Sequence, residues 1–300
     1  MDVTRRHFVS TSSLALAAGV LGGGRLFAQQ PAAAPTVPAF TALRRNVGVF
    51  TARGGTMGWL VTADAVLVID SQFADTAQMF LDGMKSRTTR RFDLLLNTHH
   101  HPDHTGGNKV LRPTVGKIVA HANVPGLQRK QAATAKSEDA QAYADETFAD
   151  TWRTSIGNEI VSAKYYGPGH TSGDAVYTFE RANIVHMGDL MSHQRHPRID
   201  RPAGASIRNW LVSLEKVTRD HDNDTVYIFG HSKAGLPVSG SRRDVLALRD
   251  YFSAMLDYVQ KGVAAGRSAD ELIKAGLPGF AEHEGMPQLQ VAYDELTARA

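Results

Sequence analysis

Four metal-competent side chains follow one another within six residues, directly behind the apolar run at residues 92–96. They are His99, His101, Asp103 and His104. In extended backbone, side chains two residues apart point to the same side, so the first two histidines can face one cation. Pro102 interrupts a regular strand and favours a turn, which brings the aspartate and the last histidine back to a second position nearby. The sequence therefore predicts a fold in which one strand ends at a metal centre with room for two ions.

The residue types in this run favour a transition metal. Imidazole suits zinc, and a carboxylate among three imidazoles fits zinc or iron better than calcium or magnesium, which prefer oxygen ligands. A row of surface histidines or a purification tag is the alternative interpretation. A tag lies at a terminus, whereas this run lies in mid-chain between a predicted strand and a Thr-Gly-Gly sequence. We therefore favour a metal site.

Three later residues of the same types follow or interrupt apolar runs and have glycine beside them. They are His170, Asp189 and His231. The neighbouring glycines let the backbone approach a shared centre closely. Asp70 ends the apolar run at residues 65–69, where it would orient a ligand histidine from behind. Any one of these residues alone is more often a core or loop residue, but together with the first run they complete a ligand set.

This combination resembles the metallo-β-lactamase-fold hydrolase superfamily, which includes glyoxalase II-like thioesterases and acyl-homoserine lactonases, over roughly residues 43–240. The resemblance implies an α/β fold, a four-layer αββα sandwich with extra C-terminal helices and a site at the strand ends between its two sheets. It also implies two zinc ions per chain, bridged by Asp189, with Asp70 as the strand-end aspartate of the family; iron or manganese are alternatives. The first ion would be held by His99, His101 and His170, and the second by Asp103, His104 and His231.

Asp189 distinguishes between the branches of this superfamily. The β-lactamases proper carry cysteine or serine near this point, and this chain has no cysteine. The resemblance therefore implies the thioesterase and lactonase branch, in which a metal-bridging hydroxide attacks the carbonyl of an ester, thioester, lactone or related amide. Asp103 would be catalytic as well as a ligand, by orienting the hydroxide and relaying its proton. Hydrolysis of β-lactams is an alternative, because the same hydroxide attacks any activated carbonyl.

Two functions from other classes stay open. A mononuclear-iron oxidoreductase of the persulfide dioxygenase kind belongs to a family that shares this fold and much of this motif. One iron per chain and oxygen consumption with a persulfide would indicate that function. A zinc-buffering protein without catalytic activity is the second, and chelator-sensitive turnover of an ester would exclude it.

The start of the chain resembles a twin-arginine export signal. The sequence Thr-Arg-Arg-His-Phe-Val at residues 4–9 precedes a stretch rich in alanine and glycine, and cleavage after Ala28 would leave a small residue at the cut. We therefore predict a signal peptide at 1–28, a proline-containing linker at 29–39, and a bacterial protein that is periplasmic or otherwise exported. An uncleaved membrane anchor is the alternative, although the apolar stretch falls short of the ~20 residues that a membrane span needs. After cleavage we expect no stable membrane association.

Charge favours a small-molecule substrate over a polyanionic partner. The formal net charge is +3, and removal of the predicted signal leaves 30 basic against 29 acidic residues. Without a basic run interleaved with aromatic residues, the sequence gives no indication of nucleic-acid binding. The absence of cysteine is compatible with an oxidising compartment.

The pattern along the chain predicts one catalytic domain at residues 40–240 and a helical extension at 241–300 packed on the same domain. Apolar spacing predicts a helix over 244–263, and a Ser-Ala-Asp-Glu capping box at 268–271 predicts another. A homodimer interface is the alternative role for the extension. Residues 122–150 are predicted to be a helical insert that covers the sheet, with a substrate lid as the alternative.

The loop after Asp189 carries several cationic side chains. Its candidates for contact with an anionic substrate group are His193, His196 and Arg198. A solvated surface loop is the alternative interpretation.

Overall fold

The apolar runs of the first half of the chain form a seven-stranded sheet in which every strand lies beside its sequence neighbour. The computed structural model describes residues 37–298; the predicted signal peptide and residues 29–36 of the predicted linker lie outside them. The strands are β1 (Ala39–Ala42), β2 (Val47–Thr51), β3 (Met57–Val61), β4 (Val66–Ile69), β5 (Phe92–Asn97), β6 (Val115–His121) and β7 (Glu146–Phe148). Strands β1 to β4 pair antiparallel, whereas β4 to β7 pair parallel.

A second, six-stranded sheet follows in the chain. The remaining strands are β8 (Thr151–Ile156), β9 (Glu159–Tyr165), β10 (Ala175–Phe179), β11 (Ile184–His186), β12 (Ser192–His193), β13 (Val226–Ile228), β14 (His231–Ser232) and β15 (Ser239–Gly240). The sheet has the order β15-β13-β11-β10-β9-β8, and β12 pairs with β14 in a separate two-stranded ladder.

Eight α-helices are present in the described part of the chain. They are α1 (Ala74–Met84), α2 (Pro102–Thr105), α3 (Asn108–Leu111), α4 (Val124–Ala135), α5 (Ile207–Asp220), α6 (Arg242–Ala264), α7 (Ala269–Ala275) and α8 (Leu289–Thr297). Among residues 37–298, no helix combines the length and the apolar character that crossing a membrane requires.

The two sheets face each other and carry helices on their outer faces. In β4, Leu67 and Ile69 point inward to a core shared with the second sheet, whereas Val66 and Val68 pack outward with Phe80 of α1. Both faces of this strand are buried, which explains its uninterrupted apolar sequence. On the other side, α5, α6 and α8 cover the outer face of the second sheet. The predicted four-layer αββα sandwich with extra C-terminal helices is confirmed.

Local predictions hold best where the pattern is strong. The helix predicted over 244–263 is α6, and the predicted capping box is present at α7, where the side chain of Ser268 accepts a hydrogen bond from the backbone of Glu271. The predicted helical insert at 122–150 is only partly correct. After α4 it ends in β7, which adds to the parallel edge of the first sheet and packs Phe148 against Tyr177 of the second.

Candidate metal centre

The predicted ligands all lie at one edge of the sandwich because the strands that precede them end there. Strands β4 and β5 are parallel neighbours, so Asp70 and the histidine run leave the first sheet side by side. In the second sheet, β11 and β13 are also parallel. Asp189 follows β11 and His231 follows β13, whereas His170 lies in the turn from β9 to β10.

Pro102 occupies the first position of the short helix α2. Proline suits this position because its fixed φ matches a helix start and its missing N–H would have no partner there. His101 stays extended immediately before the helix, with φ −64° and ψ 149°. The helix then turns the chain back, so that Asp103 and His104 face a second position.

Three histidines converge in the first cluster of side chains. Nδ1 of His101 lies 3.0 Å from Nε2 of His99 and 2.9 Å from Nε2 of His170. All three side chains are almost completely buried. A tetrahedral zinc ion with bonds of about 2.0–2.1 Å to nitrogen places its ligand atoms roughly 3.3 Å apart, which is close to the observed spacing.

Asp103, His104 and His231 form the second cluster. Nε2 of His231 lies 3.1 Å from Oδ2 of Asp103 and 3.5 Å from Nε2 of His104. His104 is fully buried, whereas Asp103 keeps about a quarter of its side chain exposed. This cluster is therefore the side of the centre that solvent reaches.

Asp189 lies between the two clusters. Its Oδ2 is 3.5 Å from Nε2 of His170 and 3.3 Å from Nε2 of His231. Its Oδ1 is 3.0 Å from Nε2 of His104 but lacks hydrogen-bonding geometry there, so this buried oxygen has no hydrogen-bond partner in the described chain. A buried carboxylate oxygen without a partner is costly unless a cation satisfies it.

Hydrogen bonds on the outer side fix which nitrogen of each ring carries a proton. Nδ1 of His170 donates to the carbonyl oxygen of Arg198 at 2.7 Å, since a carbonyl can only accept. Nε2 of His101 donates in the same way to Oδ2 of Asp200 at 2.7 Å. The inner nitrogens of these two rings are therefore unprotonated, and neither can donate to the other across 2.9 Å.

Asp70 fixes two more rings, His104 directly and His99 through Thr98. Its Oδ2 accepts from Nδ1 of His104 at 2.7 Å and from the hydroxyl of Thr98 at 2.8 Å. Because that hydroxyl proton is used, the Thr98 oxygen accepts from Nδ1 of His99 at 3.0 Å. In their uncharged forms these four imidazoles turn lone pairs inward, which is the arrangement by which outer partners orient metal-ligating histidines. The donor set fits divalent transition-metal ions.

Burial keeps two rings of the first cluster neutral. It lowers the pKa of His99 well below the ordinary histidine value, and it lowers the pKa of His170 to about 3. Both rings are uncharged at neutral pH and present free lone pairs.

The second cluster favours positive charge. Burial alone would raise the pKa of Asp189, but His231 and His104 hold it well below its usual range. Burial alone would lower the pKa of His231, yet Asp189 and Asp103 raise it to about 9. The carboxylates of Asp103 and Asp189 thus stabilise positive charge in this cluster, either as protons on the histidine rings or as a cation bound between the side chains.

Two glycines allow the backbone to approach the ligands. A Cβ at Gly230 would collide with Oδ1 of Asp189, and one at Gly55 would collide with the ring of His104. Asp70 itself adopts φ 63°, a left-handed conformation that aspartate tolerates better than most residues. At these three positions the backbone lies so close to the predicted ligands, or in so unusual a conformation, that few residue types would fit.

The three loop candidates have different surroundings. Arg198 exposes 59% of its side chain, and its Nη2 lies 3.3 Å from Oδ2 of Asp200. Nδ1 of His196 contacts the hydroxyl of Tyr251 at 2.9 Å, and His193 contacts the carbonyl of Pro237 at 3.3 Å. Of the three, Arg198 contacts a group that orients a predicted ligand.

Sequence reasoning missed Thr98, Asp200 and the carbonyl group of Arg198. Asp200 ends the loop after Asp189, where no spacing rule distinguishes it from a solvated aspartate. A carbonyl group has no sequence signature at all. Only the tertiary structure shows that these groups hold the histidines.

Comparison with known proteins agrees with this geometry. A family model described as the metallo-beta-lactamase superfamily matches residues 51–231. The metallo-beta-lactamase type 2 of Bacillus cereus is 25% identical over 202 residues, covering 64% of this chain and 76% of that protein. The hydroxyacylglutathione hydrolase of Rhodospirillum rubrum is 28% identical over 132 residues, covering 42% and 43%.

A solved structure shows the same fold. The metallo-beta-lactamase from Pontibacter korlensis superposes with a TM-score of 0.60 at 18% identity, over 72% of this chain and 99% of that one. The seven predicted ligands all lie within the residues that the family model matches.

Proposed function

The chain belongs to the metallo-beta-lactamase superfamily of metal-dependent hydrolases, and on this premise we propose an exported hydrolase with two zinc ions that cleaves the carbonyl of an ester, thioester, lactone or related amide. The observation that carries the proposal is the inward convergence of unprotonated imidazole nitrogens, with Asp189 between the two clusters. Iron or manganese would also fit the donor set.

In this proposal each cluster would hold one ion, and Asp189, which lies between the clusters, would be available as a ligand to both. Bound ions would supply Lewis acidity toward the carbonyl oxygen and lower the pKa of a coordinated water toward ~7. Asp103 lies on the exposed side of the centre, and His104 and His231 lower the pKa of its carboxyl against the effect of burial. The ionised carboxylate of Asp103 would accept a hydrogen bond from the attacking water and orient it, take up the proton that the water loses, and return that proton to the leaving group.

The substrate class rests on the residue between the clusters. We favour esters, thioesters and lactones because a carboxylate, Asp189, occupies this position. A hydroxyacylglutathione hydrolase among the relatives supports this class. Hydrolysis of β-lactams is the second candidate, supported by the 25% identity to the Bacillus cereus enzyme.

Export is a separate part of the proposal. It is supported by the Arg-Arg pair at residues 5 and 6 and the alanine-rich stretch behind it. Replacing both arginines with lysine in the full-length chain should retain the protein in the cytoplasm of a bacterial host. Equal periplasmic recovery of the variant and the wild type would contradict the twin-arginine route.

A substrate panel tests the hydrolase proposal. Zinc-loaded protein is assayed with lactones, thioesters, aryl esters, phosphodiesters and β-lactams, with Asp103→Asn as the matched variant. We expect carbonyl esters or lactones to react fastest, and the variant to lose most of the rate even at a zinc concentration that fills both clusters. If β-lactams react fastest, the second candidate is favoured. If protein purified from its native compartment contains one iron per chain and consumes oxygen with a persulfide, the hydrolase proposal is replaced by the oxidoreductase function.

A further inference from the structure

The segment at residues 198–206 carries two of the groups that orient ligand histidines. The carbonyl oxygen of Arg198 accepts from His170, and the carboxylate of Asp200 accepts from His101. Apart from a short 3₁₀ turn, this segment is irregular and has no neighbouring strand that fixes it. Backbone hydrogen bonds tie it in part to the turn that carries His170, since the N–H groups of Asp200 and Ser206 donate to the carbonyl oxygens of His170 and Gly169. Two side chains of the C-terminal helical region add further contacts.

Gln288, immediately before α8, makes the first of these contacts. Its Oε1 accepts a hydrogen bond from the backbone N–H of Ile199 at 2.9 Å. Ile199 is the residue between Arg198 and Asp200, so one side chain fixes the peptide that joins the two orienting groups. Gln288 lies outside the region that matches the family model.

Glu295, on α8, makes the second contact. Its carboxylate, only 7% exposed, accepts from the backbone N–H groups of Ile207 and Arg208 at 3.0 and 3.1 Å. These are the first residues of α5, whose N–H groups lack partners within the helix and favour an anion. Nη1 of Arg201 lies 3.3 Å from the same carboxylate. Glu295 thus holds both the middle and the end of the segment.

Helix α8 is itself anchored in the core. Leu289 and Ala292 are buried in the cluster that contains Trp210. The ring of Trp210 packs edge-on against His170, with centroids 5.7 Å apart. The two polar contacts therefore come from a helix that is fixed relative to the metal centre.

We infer that Gln288 and Glu295 are positioning residues for the first cluster, acting on His101 and His170 through the segment at 198–206. The inference rests on the proposed metal centre and extends it to the C-terminal helices. On this inference, the C-terminal extension contributes to metal affinity in addition to covering the second sheet.

Zinc binding by the full-length chain tests the inference, with Zn²⁺ as the only added ligand and a fluorescent chelator as competitor. Gln288→Leu removes the acceptor, and Gln288→Glu keeps it. Gln290→Leu is the matched control, because the exposed side chain of Gln290 on α8 hydrogen-bonds to Asp294 of the same helix. Partners that orient metal ligands are typically worth 10–100-fold in affinity. We expect Gln288→Leu to weaken one zinc equivalent by about that factor, Gln288→Glu to restore it, and the second equivalent to stay unchanged.

Unchanged zinc affinity in Gln288→Leu, or the same loss of zinc affinity in Gln290→Leu as in Gln288→Leu, would overturn the inference. If Gln288→Leu does not fold, Glu295→Gln provides the test. This substitution keeps the size of the side chain but removes the negative charge at the start of α5. Unchanged zinc binding in the Glu295→Gln variant would also overturn the inference. A wild-type chain that binds no zinc is a different result, because it refutes the proposed metal centre itself.

Discussion

Asp70 accepts a hydrogen bond from Nδ1 of His104 at 2.7 Å, and neither side chain has any exposed surface. The pair joins the end of one strand to a ligand that follows the next strand. The orientation of the second cluster is thus built into the pairing of β4 with β5.

Asp70→Asn should weaken zinc binding at the second cluster by about 10–100-fold, the usual effect of losing such a partner. Asparagine tolerates the left-handed backbone at this position, so the change removes charge with little strain. Asp93→Asn is the matched control, because Asp93 accepts from the backbone of Val66 at the opposite end of the same strand pair. Equal zinc affinity in Asp70→Asn and the control would show that Asp70 does not act on the metal centre.

Gly230→Ala should lower kcat/KM by about 100-fold, because the new methyl group would displace the carboxylate of Asp189 and a misplacement of ~1 Å has this effect. Steady-state kinetics with the best substrate of the panel measures the change. Gly126→Ala is the control, since a Cβ at Gly126 meets nothing within 4 Å. A Gly230→Ala variant as active as Gly126→Ala would mean that the position of Asp189 is not critical.

Tyr177→Phe should reduce the free energy of unfolding by about 1–3 kcal/mol, the cost of leaving a buried acceptor without its donor. The hydroxyl of Tyr177 donates to the carbonyl oxygen of Asn97 at 3.0 Å, between the two sheets and just before the histidine run. Denaturant titration of both proteins measures the difference. No loss of stability would indicate that this carbonyl finds another donor in the variant.

Asp174→Asn should change the pH dependence of stability. Burial raises the pKa of Asp174 to about 7, despite hydrogen bonds from Thr171. A carboxyl group whose pKa is higher in the folded than in the unfolded state favours folding while it holds its proton. Its contribution is complete below about pH 4 and is lost as the pH rises through about 7.

Unfolding free energies of wild type and Asp174→Asn, measured from pH 4 to 7, check this prediction. The difference between the two proteins should move in favour of the variant as the pH rises. A constant difference over this interval would show that Asp174 titrates normally in the folded protein.

Part of the candidate centre could be predicted from the sequence because four of its seven predicted ligands lie within six residues of one another. The histidine run, the aspartate that ends β4 and the glycine beside His231 are local signals of strand ends. Parallel pairing then brings separate strand ends together. The αββα layering was predicted from the resemblance to the superfamily, and the uninterrupted apolar sequence of β4 agrees with it because this strand is buried on both faces.

The remainder depends on tertiary contacts that leave no local pattern. Asp200 and the carbonyl of Arg198 hold two ligands from an irregular loop, and Glu295 reaches the start of α5 from a helix 88 residues away in sequence. Strand β7 was missed because three residues carry too little periodicity to indicate a strand. Helix α8 begins without a side-chain cap, which removes the usual start signal.

Diffraction from crystals of the zinc-loaded protein, recorded on both sides of the zinc absorption edge, tests the central claim most directly. We predict two anomalous peaks, one among His99, His101 and His170 and the other among Asp103, His104 and His231, with Asp189 between them. A single peak, or peaks away from these side chains, would contradict the proposed two-metal centre.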